Sequence, residues 1–299
     1  MKKPNPWISV RWFASRWIIV GTAIFVGLGL VGLALGSDPD PVDMVHALEG
    51  PSWQHLLGTD NLGRDLLRRT VVATRAFFIP GFFAALIAVG LGVPLGALAG
   101  YEPQPMRLDG PWGGWVGTWV RGSVALLLAL PAALPRFVSV VLLFATFGFG
   151  PAVLAVSLGV LYAADLGEDV RQRVLSCARE EYIMAARAEG LPLARVLGFH
   201  ILWLHCRGLI ARHLVHLWAF VILVETSLSY LPGEFGVQEP DPSWGNMLVS
   251  AQDAALVGQI WPSVVITSMI VGTVVFLAIV GDRLGRTNDD PSMNERTAL

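Results

Sequence analysis

The sequence predicts an all-α integral membrane protein with six transmembrane helices. Three observations carry that prediction. Of the 299 residues, 54% are hydrophobic and only 15% charged, whereas a soluble domain carries about a quarter charged residues. The apolar residues gather into six runs, and about 20 apolar residues suffice to cross the hydrocarbon core. The basic residues are sorted between the two sides of those runs. The net charge of -2 carries no nucleic-acid signal, because the charges alternate by segment instead of pooling.

The first run is Trp17 to Gly36 and the second, Ala76 to Tyr101, has no charge. The third, Gly122 to Phe147, is apolar except for Arg136, and a Gly-Phe-Gly-Pro turn follows it. Pro151 to Ala164 is short, the weakest of the six, and expected to borrow a few residues at each end. Leu214 to Leu231 is apolar except for Glu225, and Pro262 to Gly281 is uncharged. Ala34-Leu35-Gly36 before Ser37 looks like a cleavage site. The apolar run ahead of it is longer than a signal-peptide core, so it is read as a retained span.

With the N-terminus in the cytoplasm, the inner segments hold 16 of the 21 Lys and Arg. The loop 232–260 on the other side holds none, and four acids. The segment 37–75 is the exception, with four Arg among six acids, which points to a folded element. The resulting organisation is a cytoplasmic segment 1–16, a first span 17–36, an external segment 37–75, a core 76–281 and a cytoplasmic tail 282–299. Within the core lie a cytoplasmic polar loop 165–212 and an external loop 232–260. Cys177 and Cys206 then fall in a reducing compartment and are expected as free thiols. Trp7, Trp12, Trp17, Trp112, Trp115 and Trp119 precede spans and suit the interface.

The glycines of Gly58-Thr59-Asp60-Asn61-Leu62-Gly63-Arg64-Asp65 have phosphate-loop spacing. Arg64 and Asp65 stand where that loop needs Lys and Ser/Thr, so nucleotide binding is rejected. The expected element is a helix capped by Asp60. Leu62, Leu66, Leu67 and Val71 would form one face, with Arg64, Arg68 and Arg75 directed elsewhere: an amphipathic helix on the outer membrane surface. No enzyme motif is present, so no catalytic residue is assigned. His213 and His216 are three apart on one helix face. Without a carboxylate at ligand spacing beside them, no metal site is assigned.

Arg136 and Glu225 are the two charges inside spans. At about 1.5 Å per residue each lies about 20 Å from its inner helix end. The matching depth permits an ion pair or a shared polar cavity, and both are candidates for a transport pathway. Hydration of Glu225 and snorkelling of Arg136 are the alternatives.

The polar loop carries seven Arg and six Asp/Glu. Its centre reads Glu181-Tyr182-Ile183-Met184-Ala185-Ala186-Arg187-Ala188-Glu189-Gly190. Ala185 and Ala186 are small enough for another surface to come close. Gly190 can end a helix in the left-handed conformation, and Pro192 can start the next in its first turn. The spacing predicts a helix, a sharp turn and a second helix from Pro192 to His205.

These segments together resemble a known family. His55 to Asp65, Gly92 to Tyr101, Leu128-Ala129-Leu130-Pro131, Glu181 to Gly190 with His200-Ile201-Leu202, and Glu225 to Ser229 with Gly236-Val237-Gln238 stand in the family's order. The external motif Pro242-Ser243-Trp244-Gly245-Asn246 continues it. The chain resembles the inner-membrane permease subunit, of the C type, of bacterial dipeptide and oligopeptide ABC importers. Met184, where the family usually has Glu, and Trp203, where it usually has Pro, depart from the pattern.

The resemblance implies a type I ABC importer permease fold in the bacterial inner membrane. Glu181, Tyr182, Met184, Ala185, Ala186, Arg187, Glu189 and Gly190 would form the loop that couples to a separate ATPase. It implies a second, homologous permease completing a heterodimeric pore, two ATPase subunits holding ATP and Mg, and an extracytoplasmic substrate-binding protein. No cofactor is expected on this chain itself. Peptides are the expected cargo, with nickel or glutathione as alternatives on the same scaffold. A stand-alone ion-coupled carrier would use Arg136 and Glu225, but carriers of that kind usually show internal repeats, and no clear repeat is visible.

Overall fold

The computed structural model describes residues 6–35, 41–100, 119, 122–124, 126, 135–177, 180–192, 195–231 and 235–286. The motif 128–131, Arg107, Arg121, Trp112, Trp115 and the tail from 287 lie outside the described residues. The helices are α1 (Pro6–Ala34), α2 (Leu66–Val72), α3 (Arg75–Gly100), α4 (Arg136–Phe147), α5 (Pro151–Cys177), α6 (Glu181–Ala188), α7 (Arg207–Tyr230), α8 (Trp244–Leu256) and α9 (Trp261–Arg286). Each of the six apolar runs carries one of them: α1, α3, α4, α5, α7 and α9. The continuous stretches Leu66–Gly100, Val196–Tyr230 and Trp261–Gly285 are long and apolar enough to cross a bilayer. Val20–Ala34 and Arg136–Phe147 are shorter apolar helices.

Three elements differ from expectation. Arg136 does not sit inside its helix but opens it, directly after Pro135. Proline lacks the amide hydrogen a helix interior needs, so it marks a start. α5 extends beyond Ala164 by more than the few residues expected, continuing to Cys177. Its acids find partners along the way, including Glu168 with Arg171 at i, i+3, so the polar stretch stays helical. The third difference is α2. It has only seven residues, and Leu66, Arg69, Thr70 and Val72 are all buried. It is a packed helix, not an amphipathic one lying on a membrane surface. Its cap is Asp65, whose carboxylate accepts from the Arg68 amide at 2.9 Å. Asp60 instead closes the preceding turn, accepting from the Leu62 and Arg64 amides.

The chain divides into two compact units, Met1–Ile79 with Ala219–Val280, and Pro80–Trp218 with Gly281–Leu299. In the first unit, Trp244 packs edge-on against Phe77, ring centroids 4.8 Å apart. Its indole N–H donates to the Thr70 carbonyl at 3.0 Å, so this buried aromatic is satisfied. In the second unit, α3 and α5 meet through small residues. A β-carbon on Gly92 or Gly100 would come within 2.6 and 2.5 Å of the carbonyl oxygens of Ala163 and Arg171. Residues at i, i+4 and i+8 share one helix face, and glycines there let two backbones touch.

Candidate functional site

The polar loop folds as a hairpin between α5 and α7. α6 starts after Glu180, whose carbonyl accepts from the Ile183 and Met184 amides. It ends at Gly190, where φ is +79°, the left-handed conformation that glycine adopts without steric cost. The Pro192 carbonyl then accepts from the Arg195 and Val196 amides, starting the next helix. That helix is π-helical over Val196–Cys206 before α7. Both parts of the expected hairpin are therefore present, with the second continuing past His205.

Among the described side chains of α6, one is buried. Ile183 is fully buried in an apolar cluster with Leu166, Val170 and Val174 of α5 and Val196 and Ile201 of the following segment. Glu181, Met184, Ala185, Glu189 and Gly190 are exposed. Tyr182, Ala186 and Arg187 lie in the same helix or its end. Cys177 and Cys206 belong to the same cluster, both as free buried thiols.

The base of the hairpin is laced by charges. His213 of α7 is 2.8 Å from Asp169 of α5, and Arg212 is 3.5 Å from the same carboxylate. The His213 hydrogen bond holds the Asp169 carboxyl below the usual carboxylate range. His216 lies 3.7 Å from Asp282 of α9. The two histidines thus face different carboxylates. Arg136 pairs with Asp165 at 2.5 Å and stands over the Tyr162 ring at 4.9 Å. The partner of Arg136 is therefore Asp165, not Glu225, because opening α4 with Arg136 brings it to the polar end of the α5 run.

Glu225 has a different setting. It is fully buried, and its Oε1 accepts from the Ser229 hydroxyl at 2.7 Å. The Ser229 oxygen in turn accepts from the Val237 amide at 2.9 Å. The carboxylate thus anchors the loop that follows α7. The motif after it is equally structural. Ser243 and Asn246 form a reciprocal capping box at the start of α8. The Asn246 amide donates to the Val237 and Asp241 carbonyls at 3.1 and 2.9 Å. Pro242, Ser243, Trp244, Gly245 and Asn246 are all buried. Gly245 is required by close packing: a β-carbon there would lie 2.7 Å from that of Ser229.

The four arginines that broke the charge asymmetry are partly explained here. Arg64 bonds Asp60 at 2.7 Å and Glu239 at 2.9 Å, and Arg69 bonds Glu239 at 2.8 Å. Burial alone would lower the Arg64 guanidinium, but the Glu239 and Asp60 hydrogen bonds outweigh it and raise it. We call the residues 41–75 and 235–262 that this cluster ties together the clamp module. Sequence reasoning missed Glu239, Asp165 and Tyr162. Glu239 was visible as an acid in a loop without Lys or Arg, opposite a segment with surplus Arg; Asp165 and Tyr162 gave no signal by spacing.

The helices at six apolar runs, three of them of bilayer length, define the class: a multi-pass helical membrane protein. No family model matches the chain. It is 30% identical over 240 residues to the dipeptide transport system permease protein DppC of Alkalihalophilus pseudofirmus, covering 78% of this chain and 73% of that protein. It is 29% identical over 300 residues to the glutathione transport system permease protein GsiD of Pectobacterium atrosepticum, covering 97% and 92%. It is 30% identical over 206 residues to the oligopeptide transport system permease protein OppC of Haemophilus influenzae, covering 69% and 61%. The chain belongs to the dipeptide and oligopeptide transport-system permease family, the membrane subunits of ABC importers.

Proposed function

We propose that this chain is the pore-forming subunit of an ATP-driven peptide importer in the bacterial cytoplasmic membrane, with both termini in the cytoplasm. A second permease completes the pore, two ATPase subunits hold ATP and Mg, and an extracytoplasmic binding protein delivers cargo. The peptide class rests on the transport systems named for the relatives. Glutathione, named for the Pectobacterium relative, is itself a tripeptide and falls within that class.

One observation carries the coupling role. α6 is a short helix held by Ile183 alone among its described side chains, with Glu181, Met184, Ala185 and Glu189 turned outward at a glycine-terminated tip. Such a ridge suits the cleft of an ATPase subunit, and the small Ala185 and Ala186 allow close approach. ATP-driven closure of the two ATPases would then move the helices between inward- and outward-facing states. Within that scheme Arg136, half exposed beside Asp165, is the pathway charge. Glu225 positions the loop after α7 by way of Ser229.

The test is crosslinking in the assembled transporter. Ala185→Cys, with the buried Cys177 and Cys206 left in place, is expected to give a crosslink to an ATPase subunit that changes with ATP. No contact with any ATPase would remove the coupling role. Purification of a lone chain that moves solute along a proton gradient would overturn the importer itself.

A further inference from the structure

An exposed apolar ridge lies on the clamp module. Trp53 is 97% exposed and Leu256 82%, and Leu56, Val257 and Ile260 are exposed with them. Two loops carry these side chains. One is the tight turn Ser52–Gly58, closed by the Ser52 amide on the His55 carbonyl at 2.8 Å and the Gly58 amide on the same oxygen at 2.9 Å. The other is the α8–α9 connection. A hydrogen bond from the Trp261 indole to the Leu57 carbonyl, 2.9 Å, fastens one to the other. The approach is close: a β-carbon on Gly58 would stand 2.7 Å from the Trp261 nitrogen. His55, the ionisable group on the turn, is engaged by Asp65 at 2.9 Å.

We propose that this ridge is a membrane-interface foot: Trp53, Leu56, Leu256, Val257 and Ile260 sink into the headgroup–acyl boundary of the leaflet where α9 begins. The occupant is identified by continuity. Trp261 is the first residue of α9, and from there the exposed Val264, Val271 and Val275 run down one stripe of that bilayer-length helix. An exposed apolar stripe on a helix of bilayer length suits lipid, and the ridge extends it beyond the helix start. Tryptophan suits such a place, since its ring is apolar while its N–H can reach water or a headgroup. The foot supplies the surface anchoring that the sequence assigned to α2, where Leu66 and Val72 are buried in the module. It rests only on the chain being a multi-pass membrane protein, so failure of the peptide or ATPase assignments leaves it standing.

Spin labels on the full-length chain in vesicles of phosphatidylethanolamine and phosphatidylglycerol test it. Leu56→Cys and Val257→Cys are labelled at exposed positions, with Asp241→Cys, exposed on the neighbouring loop, as the aqueous reference. Collision with oxygen, which partitions into lipid, is compared with collision with a water-soluble nickel complex. The expected result is a several-fold higher oxygen-to-nickel ratio at 56 and 257 than at 241, reduced at both when Trp53→Lys is added. Ratios equal to that of the reference overturn the foot. So does protection of 56 and 257 that arises only when a soluble substrate-binding protein is added, which would make the ridge a protein dock.

Discussion

In the hairpin between α5 and α7, Ile183 is the buried anchor among the described side chains of an eight-residue helix, while Glu181, Met184 and Ala185 face outward. In the clamp module, Arg64, Arg69, Asp60, Ser243 and Asn246 are buried, and their polar groups bond chiefly to other residues of the same module. Both regions are rich in charge for a chain with only 15% charged residues. The difference lies in where the charge is spent. A buried, hydrogen-bonded network fixes its own geometry and leaves little to offer a partner. A sparse helix with one anchor keeps its polar face available. The clamp module therefore looks like a part that must hold its shape, and the hairpin like a part that must be held by something else.

The largest expected effect breaks the clamp. Arg69 is 2% exposed and bonds Glu239 at 2.8 Å, with Asp60 at 3.7 Å. Arg69→Ala empties a buried position and leaves Asp60 and Glu239 to Arg64 alone, and removing one partner of a buried pair costs up to about 3–5 kcal/mol. Thermal unfolding in detergent, followed by tryptophan fluorescence, is expected to fall clearly. Glu239→Gln is expected to cost less, about 1 kcal/mol, because Glu239 is 42% exposed and partly solvated. A wild-type melting temperature for Arg69→Ala would show that the network contributes nothing and would erase the contrast between the regions.

The helices were legible because apolar runs are long and local. Gly190 was legible because a helix stop is written in a few adjacent residues. What escaped depends on distant residues. Nothing near Arg136 announces Asp165, 29 positions along the chain, and the pairing follows only once Pro135 has set where α4 begins. The amphipathic pattern of Leu62, Leu66, Leu67 and Val71 was present, but periodicity shows that a face is apolar, not what covers it. In the structure Leu66 is buried and so are Arg64 and Arg69, because Glu239 arrives from a loop 170 positions from Arg69. The external motif was legible as a resemblance, while its role as a buried capping structure needed the hydrogen bonds of Asn246.

The next effect loosens the hairpin's anchor. Ile183→Ala removes a fully buried side chain from the cluster of α5 and the segment after Pro192. Large-to-small core changes of this kind cost about 2–5 kcal/mol. Because Ile183 is the buried anchor among the described side chains of α6, the loss should be local. Amide exchange is expected to rise across 181–190, while the main melting transition moves less than it does in Arg69→Ala. Unchanged exchange in α6 would mean that Ile183 is not its anchor and that another contact holds the helix.

The smallest effect on stability is the most informative about the partner. Met184 is 45% exposed on the same helix, one residue after the anchor. Met184→Glu introduces the residue type that the family resemblance leads one to expect at this position. Surface changes away from packed features usually stay within about 0.5 kcal/mol, so the melting temperature should not move. The new carboxylate would join that of Glu181, three residues earlier, and make the outward face more acidic. If an ATPase subunit grips that face, its affinity for the detergent-solubilised permease, measured by titration, is expected to change in Met184→Glu and not in a control such as Gln172→Glu on α5. Equal affinity in both variants would place the partner's contact away from Met184.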